Sequence, residues 1–162
     1  MFSREQTKLI QKLARQCLEK GILLVTAESC TGGLLSSSLT QEAGSSKWFD
    51  RGFVTYSNNS KIDSLGVQEK TLENFGAVSQ EVANEMSIGA LKNSEANLGI
   101  SITGIAGPDG GSLTKPVGTV YFSIANQKKV ILEHKSDFKG SREVIRKESV
   151  LFVLNKLLNL TL

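Results

Sequence analysis

Apolar side chains recur along this chain in two periods, and the places where one period gives way to the other mark the elements. In residues 3–20, Leu9, Leu13 and Cys17 fall at four-residue steps, with Ile10 and Leu18 beside them and polar residues between. That spacing predicts an amphipathic helix. Gly21 stops it, as a residue just past a helix end does. The apolar run 22–27 predicts a buried strand. A helix rich in small residues follows over 30–40, and Gly32 and Gly33 near its start let another backbone or a ligand come close. Residues 47–56 alternate, with Trp48, Gly52, Val54 and Tyr56 on one side and Phe49, Arg51, Phe53 and Thr55 on the other, which predicts a strand.

Three short helical patterns come next. One covers 60–65 and ends at Gly66, and one covers 68–74 and stops near Gly76. The third runs to Lys92 from Ser79, a good N-cap, with Val82, Met86, Gly89 and Ala90 on its inner face. Residues 98–103 predict a second buried strand, which runs into a loop with four glycines in residues 104–111. Strands over 117–126 and 129–138 flank a turn at Gln127 and Lys128. Ser141 then caps a last helix with Glu143 in its first turn. From Val150 to Leu162 this helix is more apolar than one buried face requires, which points to contact with a second subunit and so to a homo-oligomer. No repeat, linker or low-complexity segment interrupts the chain, so residues 1–162 read as one domain. The order of elements predicts an α/β fold, a three-layer sandwich with a mixed β-sheet flanked by helices. Both glycine-rich turns follow strands, and ligands in such sheets collect at the strand carboxyl ends.

Composition removes several chemistries. With 40% hydrophobic and 22% charged residues the chain has the balance of an ordinary globular protein. A net charge of +3, without a Lys/Arg block, gives no footprint for nucleic acid. No apolar run approaches membrane-spanning length, and the polar N-terminus does not read as a signal peptide, so the cytoplasm is the expected compartment. One histidine and two cysteines cannot build a Cys/His metal cluster, so no metal is expected.

The candidate chemistry centres on residues 25–33. Here a strand turns into a helix around Ser29, Cys30 and Thr31, where backbone N–H groups lack intrahelical partners. Ser29 fits a nucleophile whose oxyanion hole is the N–H groups of Cys30, Thr31 and Gly32; a plain helix N-cap is the competing reading. His134 lies in a charged stretch that reads as an edge strand, which makes it a surface residue and not the base. Lys61, one helical turn after Tyr56 at the sheet rim, is the better partner. To act as base its pKa must fall from about 10.4 toward 7–8, roughly 4 kcal/mol against the charged form. A solvated helix lysine is the alternative. Cys30 is either a rival nucleophile or a small core residue. Glu28 is either an orienting carboxylate or a partner of the helix dipole. The loop at 104–112 matches neither G-x-x-x-x-G-K-[ST] nor G-x-G-x-x-G, so it can cradle a phosphate or simply shape a turn, and Asp109 reads as a turn residue. Arg142 pairs with a phosphate or lies on the surface.

Six blocks occur in order: TAESCTGG at 26–33, GFVTYSN at 52–58 with Lys61, GAVS at 76–79, TGIAGPDGG at 103–111, KPVGTV at 115–120 and GSR at 140–142. In these the chain resembles the CinA C-terminal domain family over essentially its whole length. The resemblance implies hydrolysis of nicotinamide mononucleotide to nicotinate mononucleotide and ammonia in NAD recycling, without a cofactor. It implies Ser29 as nucleophile, Lys61 as general base, and Tyr56 holding the hydroxyl or the base. The nucleotide phosphate needs a second anion site, for which Thr103, Gly104, Ala106, Gly107, Gly110, Gly111 and Arg142 are the candidates. The family often has Asp where this chain has Ser141, which removes a carboxylate beside Arg142. A nucleotide-binding regulatory module without chemistry is the alternative function.

Overall fold

The computed structural model describes residues 4–160. Ser3, the expected start of the first helix, lies outside them, as do Thr161 and Leu162 at the expected end of the last. The elements run α1 (Arg4–Lys20), β1 (Leu24–Glu28), α2 (Leu34–Leu39), a 3-10 turn (Ser45–Lys47), β2 (Phe49–Val54), α3 (Asn58–Leu65), α4 (Glu69–Phe75), α5 (Gln80–Lys92), β3 (Leu98–Gly104), β4 (Thr119–Asn126), β5 (Val130–Asp137) and α6 (Arg142–Leu158). The sheet order is β2-β1-β3-β4-β5. The first three strands are parallel and the last two antiparallel to their neighbours. This is the expected mixed sheet.

Alternation along the strands builds the two outer layers. Leu24 of β1 and Leu98, Ile100 and Ile102 of β3 face one side, where they join Leu35 and Leu39 of α2, Ile10 and Leu13 of α1, and Val150, Val153 and Leu154 of α6. Val25 and Ala27 face the other side, with Leu65 of α3, Leu72 of α4, and Val82, Met86 and Ala90 of α5. On that second side β3 and β4 carry small residues, so α5 lies close. Ser101 Oγ donates to the Ala83 carbonyl at 2.6 Å, and the Ser87 and Ser123 hydroxyls meet at 2.9 Å. Gly89 of α5 is equally confined, because a Cβ there would collide with the Leu65 carbonyl. The close approach fixes α3, and α3 carries Lys61.

Several boundaries differ from the sequence reading. The second strand is shorter than 47–56, because it pairs only with β1 and its first partner is Phe49 opposite Leu24. Residues 45–47 form the 3-10 turn instead. Helix α2 starts at Leu34, not near Cys30. Helix α6 ends at Leu158; its Val150, Val153, Leu154 and Leu157 are buried within the chain, and Leu151, Phe152 and Leu158 are half-buried. The Phe152 ring packs 4.5 Å from that of Phe122 and stacks on His134 at 4.5 Å. Among the described residues Val144 is the only exposed large apolar side chain of α6. No helix among the described residues is long and apolar enough to cross a membrane.

Candidate active site

Strand β1 ends at Glu28, and neighbouring residues there leave the sheet on opposite sides. The Glu28 carboxylate goes toward α2. It accepts the N–H groups of Gly33 (3.1 Å), Leu35 (3.0 Å) and Ser36 (2.8 Å) and the Ser36 hydroxyl (2.6 Å). The N-cap position itself is Gly33, at φ 89°, which has no side chain to offer. A carboxylate from the adjoining strand thus satisfies the orphan donors of the helix and favours its dipole. Glu28 is the anchor of α2, and Ser29 is not an N-cap.

Ser29 emerges on the α3 side, 8% exposed. Helix α3 begins at Ser57, whose hydroxyl accepts the Ser60 N–H, and this start places Lys61 under the turn. Lys61 is 1% exposed. Its Nζ lies 3.1 Å from Ser29 Oγ and 2.7 Å from the Thr55 carbonyl oxygen, to which it donates. Burial pulls its pKa from 10.5 down to about 8. When neutral, the amine keeps an N–H for Thr55 and turns its lone pair to the serine O–H. Burial pushes the Cys30 thiol up to about 12, so it stays protonated while Lys61 titrates and is no thiolate nucleophile.

The turn itself is tightly bonded. Ser29 N–H donates to the Ile102 carbonyl at 2.9 Å, and Gly32 N–H to the Ser29 carbonyl at 3.0 Å. Among the described residues the N–H groups of Cys30 and Thr31 have no partner residue. Of the three expected oxyanion donors, then, Gly32 is already occupied in closing the turn. Only Cys30 lines the adjacent cleft.

That cleft has a volume of about 250 Å³ and lies at the carboxyl ends of β1 and β3. Its walls include Ser29, Lys61, Tyr56, Thr103, Gly104, Ala106, Gly107, Asp109, Gly110 and Arg142. Most of the residues singled out in the sequence therefore come together. Gly111 does not line the cleft; it packs on Val117, whose backbone nitrogen a Cβ would approach to 2.8 Å. The Thr103 hydroxyl is occupied by the Ala77 carbonyl at 2.8 Å. In the loop, the N–H groups of Ala106 and Gly107 are on buried residues and have no partner among the described residues. Such groups suit an anion.

Arg142 bridges the cleft mouth. Its Nη1 donates to the Gly107 carbonyl at 2.8 Å and its Nη2 to the Tyr56 hydroxyl at 2.9 Å. Tyr56 therefore holds the arginine and makes no hydrogen bond to Ser29 or Lys61, contrary to the role expected for it. Ser141, in the place of the family carboxylate, caps α6 by accepting the Val144 N–H at 3.4 Å. A phenol and a carbonyl orient Arg142 without a carboxylate. His134 lies on the edge strand β5, away from the cleft. Among the described residues no group of three or more His, Cys, Asp or Glu side chains is placed to hold a metal ion.

Sequence reasoning missed the Thr55 carbonyl, which carries no side-chain signature, and Arg146, whose Nη2 donates to the Thr31 carbonyl at 2.8 Å. The second had a signal: Arg146 falls one helical turn after Arg142, on the same face of α6.

The family model described as CinA C-terminal domain matches residues 6–161. A protein of Enterobacter agglomerans named nicotinamide-nucleotide amidohydrolase PncC is 53% identical over 135 residues, covering 83% of this chain and 82% of that one. Its namesake in Escherichia coli strain K12 is 45% identical over 157 residues, covering 97% of this chain and 95% of that one. The crystal structure of the competence/damage inducible protein CihA from Agrobacterium tumefaciens has the same fold, with a TM-score of 0.94 at 43% identity over 99% of both chains.

Proposed function

The chain belongs to the CinA C-terminal domain family, and on that premise we propose that it is a serine amidohydrolase that deamidates nicotinamide mononucleotide to nicotinate mononucleotide and ammonia. Relatives covering most of the chain carry the name of that activity. The observation that carries the mechanism is the buried Lys61 amine, 3.1 Å from Ser29 Oγ with its pKa near 8.

The neutral Lys61 takes the Ser29 proton as Oγ attacks the carboxamide carbon. The carbonyl oxygen becomes an oxyanion facing the Cys30 N–H, an interaction made only as charge develops. Lys61 returns the proton to the amide nitrogen, the C–N bond breaks and ammonia leaves. Water then attacks the acyl-Ser29 ester, Lys61 takes its proton, and the carboxylate product departs with Ser29 restored. At pH 7 a pKa of about 8 leaves about one amine in ten neutral, against fewer than ~1 in 1,000 for an ordinary lysine. The nucleotide phosphate is assigned to the free N–H groups of the glycine-rich loop and to Arg142. On this reading the enzyme acts in pyridine-nucleotide recycling, in the cytoplasm.

The test is ammonia release from nicotinamide mononucleotide by the wild type and by Ser29→Ala. Loss of turnover with an unchanged unfolding transition is expected. Turnover retained in Ser29→Ala sinks the mechanism, and substrate binding without ammonia release by the wild type points to the regulatory module.

A further inference from the structure

Arg146 points at the turn below the cleft and not at the cleft mouth. Its bond to the Thr31 carbonyl, at 2.8 Å, is the only hydrogen bond of the guanidinium among the described residues. The Thr31 carbonyl shares its peptide unit with the Gly32 N–H, which donates to the Ser29 carbonyl at 3.0 Å. The Ser29 carbonyl in turn shares its peptide unit with the Cys30 N–H. A cation is thus joined, through two peptide units in series, to the N–H of Cys30, a residue that lines the cleft and whose N–H meets its own thiol and no other described residue. Accepting a hydrogen bond at C=O draws electron density from the N–H of the same peptide and makes it a better donor, so such chains polarise cooperatively. The first link is charge-assisted and the strongest. The charge of Arg146 also reaches the Cys30 thiol, where it opposes the upward push of burial.

We propose that Arg146 is a positioning residue for deamidation: through the Thr31 and Ser29 peptides it strengthens and orients the Cys30 N–H for the developing oxyanion. The proposal rests on the reading of Ser29 as nucleophile, but its first readout does not. In ¹⁵N-labelled protein the Cys30 amide proton is expected to move upfield in Arg146→Met, while the Val82 amide on α5 stays in place. Arg146→Lys, which keeps the charge, restores most of the shift. In ammonia release, Arg146→Met lowers kcat about tenfold, part of the ~10²–10³ that an oxyanion donor is worth, and leaves KM unchanged; Arg146→Lys recovers most of it. A Cys30 amide that does not move in Arg146→Met overturns the relay, as does a raised KM with unchanged kcat. Should Arg146→Met fail to fold, Arg146→Gln keeps an N–H donor without the charge, and a Cys30 shift equal to the wild type overturns the proposal. A wild type that releases no ammonia overturns the assigned substrate and not the relay, which the amide shift reads in the resting protein.

Discussion

Lys61→Met is the sharpest perturbation of the site, because it removes one titrating group and keeps the length of the side chain. The folded chain holds the Lys61 proton with a pKa of about 8 and the unfolded chain with one near 10.5. The cause is burial, so the charged form is destabilised by about 3 kcal/mol. The sign follows from proton counting. Below about 8 both states hold the proton and the full penalty stands. Between about 8 and 10.5 only the unfolded state holds it, so the stability of the wild type rises with pH. Above that window neither holds it and the penalty is gone. Methionine has no such dependence. It does leave the Thr55 carbonyl without a donor, a cost of about 1–3 kcal/mol that does not vary with pH. Urea unfolding of both proteins at several pH values isolates the titrating part. The stability of Lys61→Met relative to the wild type should fall by about 2.5 kcal/mol between pH 7 and pH 10. Every other group titrates in both proteins and cancels. A difference that stays flat across this range refutes the depressed lysine, whatever its absolute value.

The same lysine governs turnover: kcat/KM for ammonia release should rise about tenfold per pH unit below pH 8 and level off above it, and a profile flat from pH 6 to 9 excludes Lys61 as base. Tyr56→Phe removes one bond to Arg142 and none to Ser29 or Lys61. It should raise KM about fivefold with little change in kcat, and a hundredfold fall in kcat returns Tyr56 to a catalytic role. Glu28→Ala strips four hydrogen bonds from the start of α2; it should lower unfolding stability by about 4 kcal/mol in urea titrations, and a loss below about 1 kcal/mol shows that α2 does not depend on this carboxylate.

The sequence carried the fold wherever a local rule decided the outcome. The stripe of Leu9, Leu13 and Cys17, and the caps Ser79 and Ser141, each act within their own segment, so α1, α5 and α6 begin within a residue or two of their expected positions. It failed where a partner comes from elsewhere in the chain. Helix α2 could not be started correctly from its own residues, because Gly33 caps nothing and Glu28 reaches over from the strand. Tyr56 and Lys61 are close in sequence, but the hydroxyl of Tyr56 is held by Arg142, 86 residues away. Gly32 offered a free N–H only as long as the turn was drawn as the first turn of a helix. The meeting of Ser29 with Lys61 was legible because two strand ends and one helix cap fix it, and each of these has a residue signature.

The alternation at the end of β1 explains why the turn can be rigid and reactive at once. A serine that opens a helix usually has its oxygen occupied by that helix. Here Glu28 takes over the capping from the opposite side of the sheet, so the Ser29 hydroxyl meets Lys61 alone. The same segregation sets the state of the lysine. A carboxylate on the α3 side would pair with Lys61 and hold it charged, since an opposite charge within a few ångströms favours the ionised form. No carboxylate contributes to the Lys61 shift, and burial acts almost unopposed. Two adjacent residues, pointing apart because a strand has a period of two, thus separate the charge that anchors the helix from the amine that must lose its own.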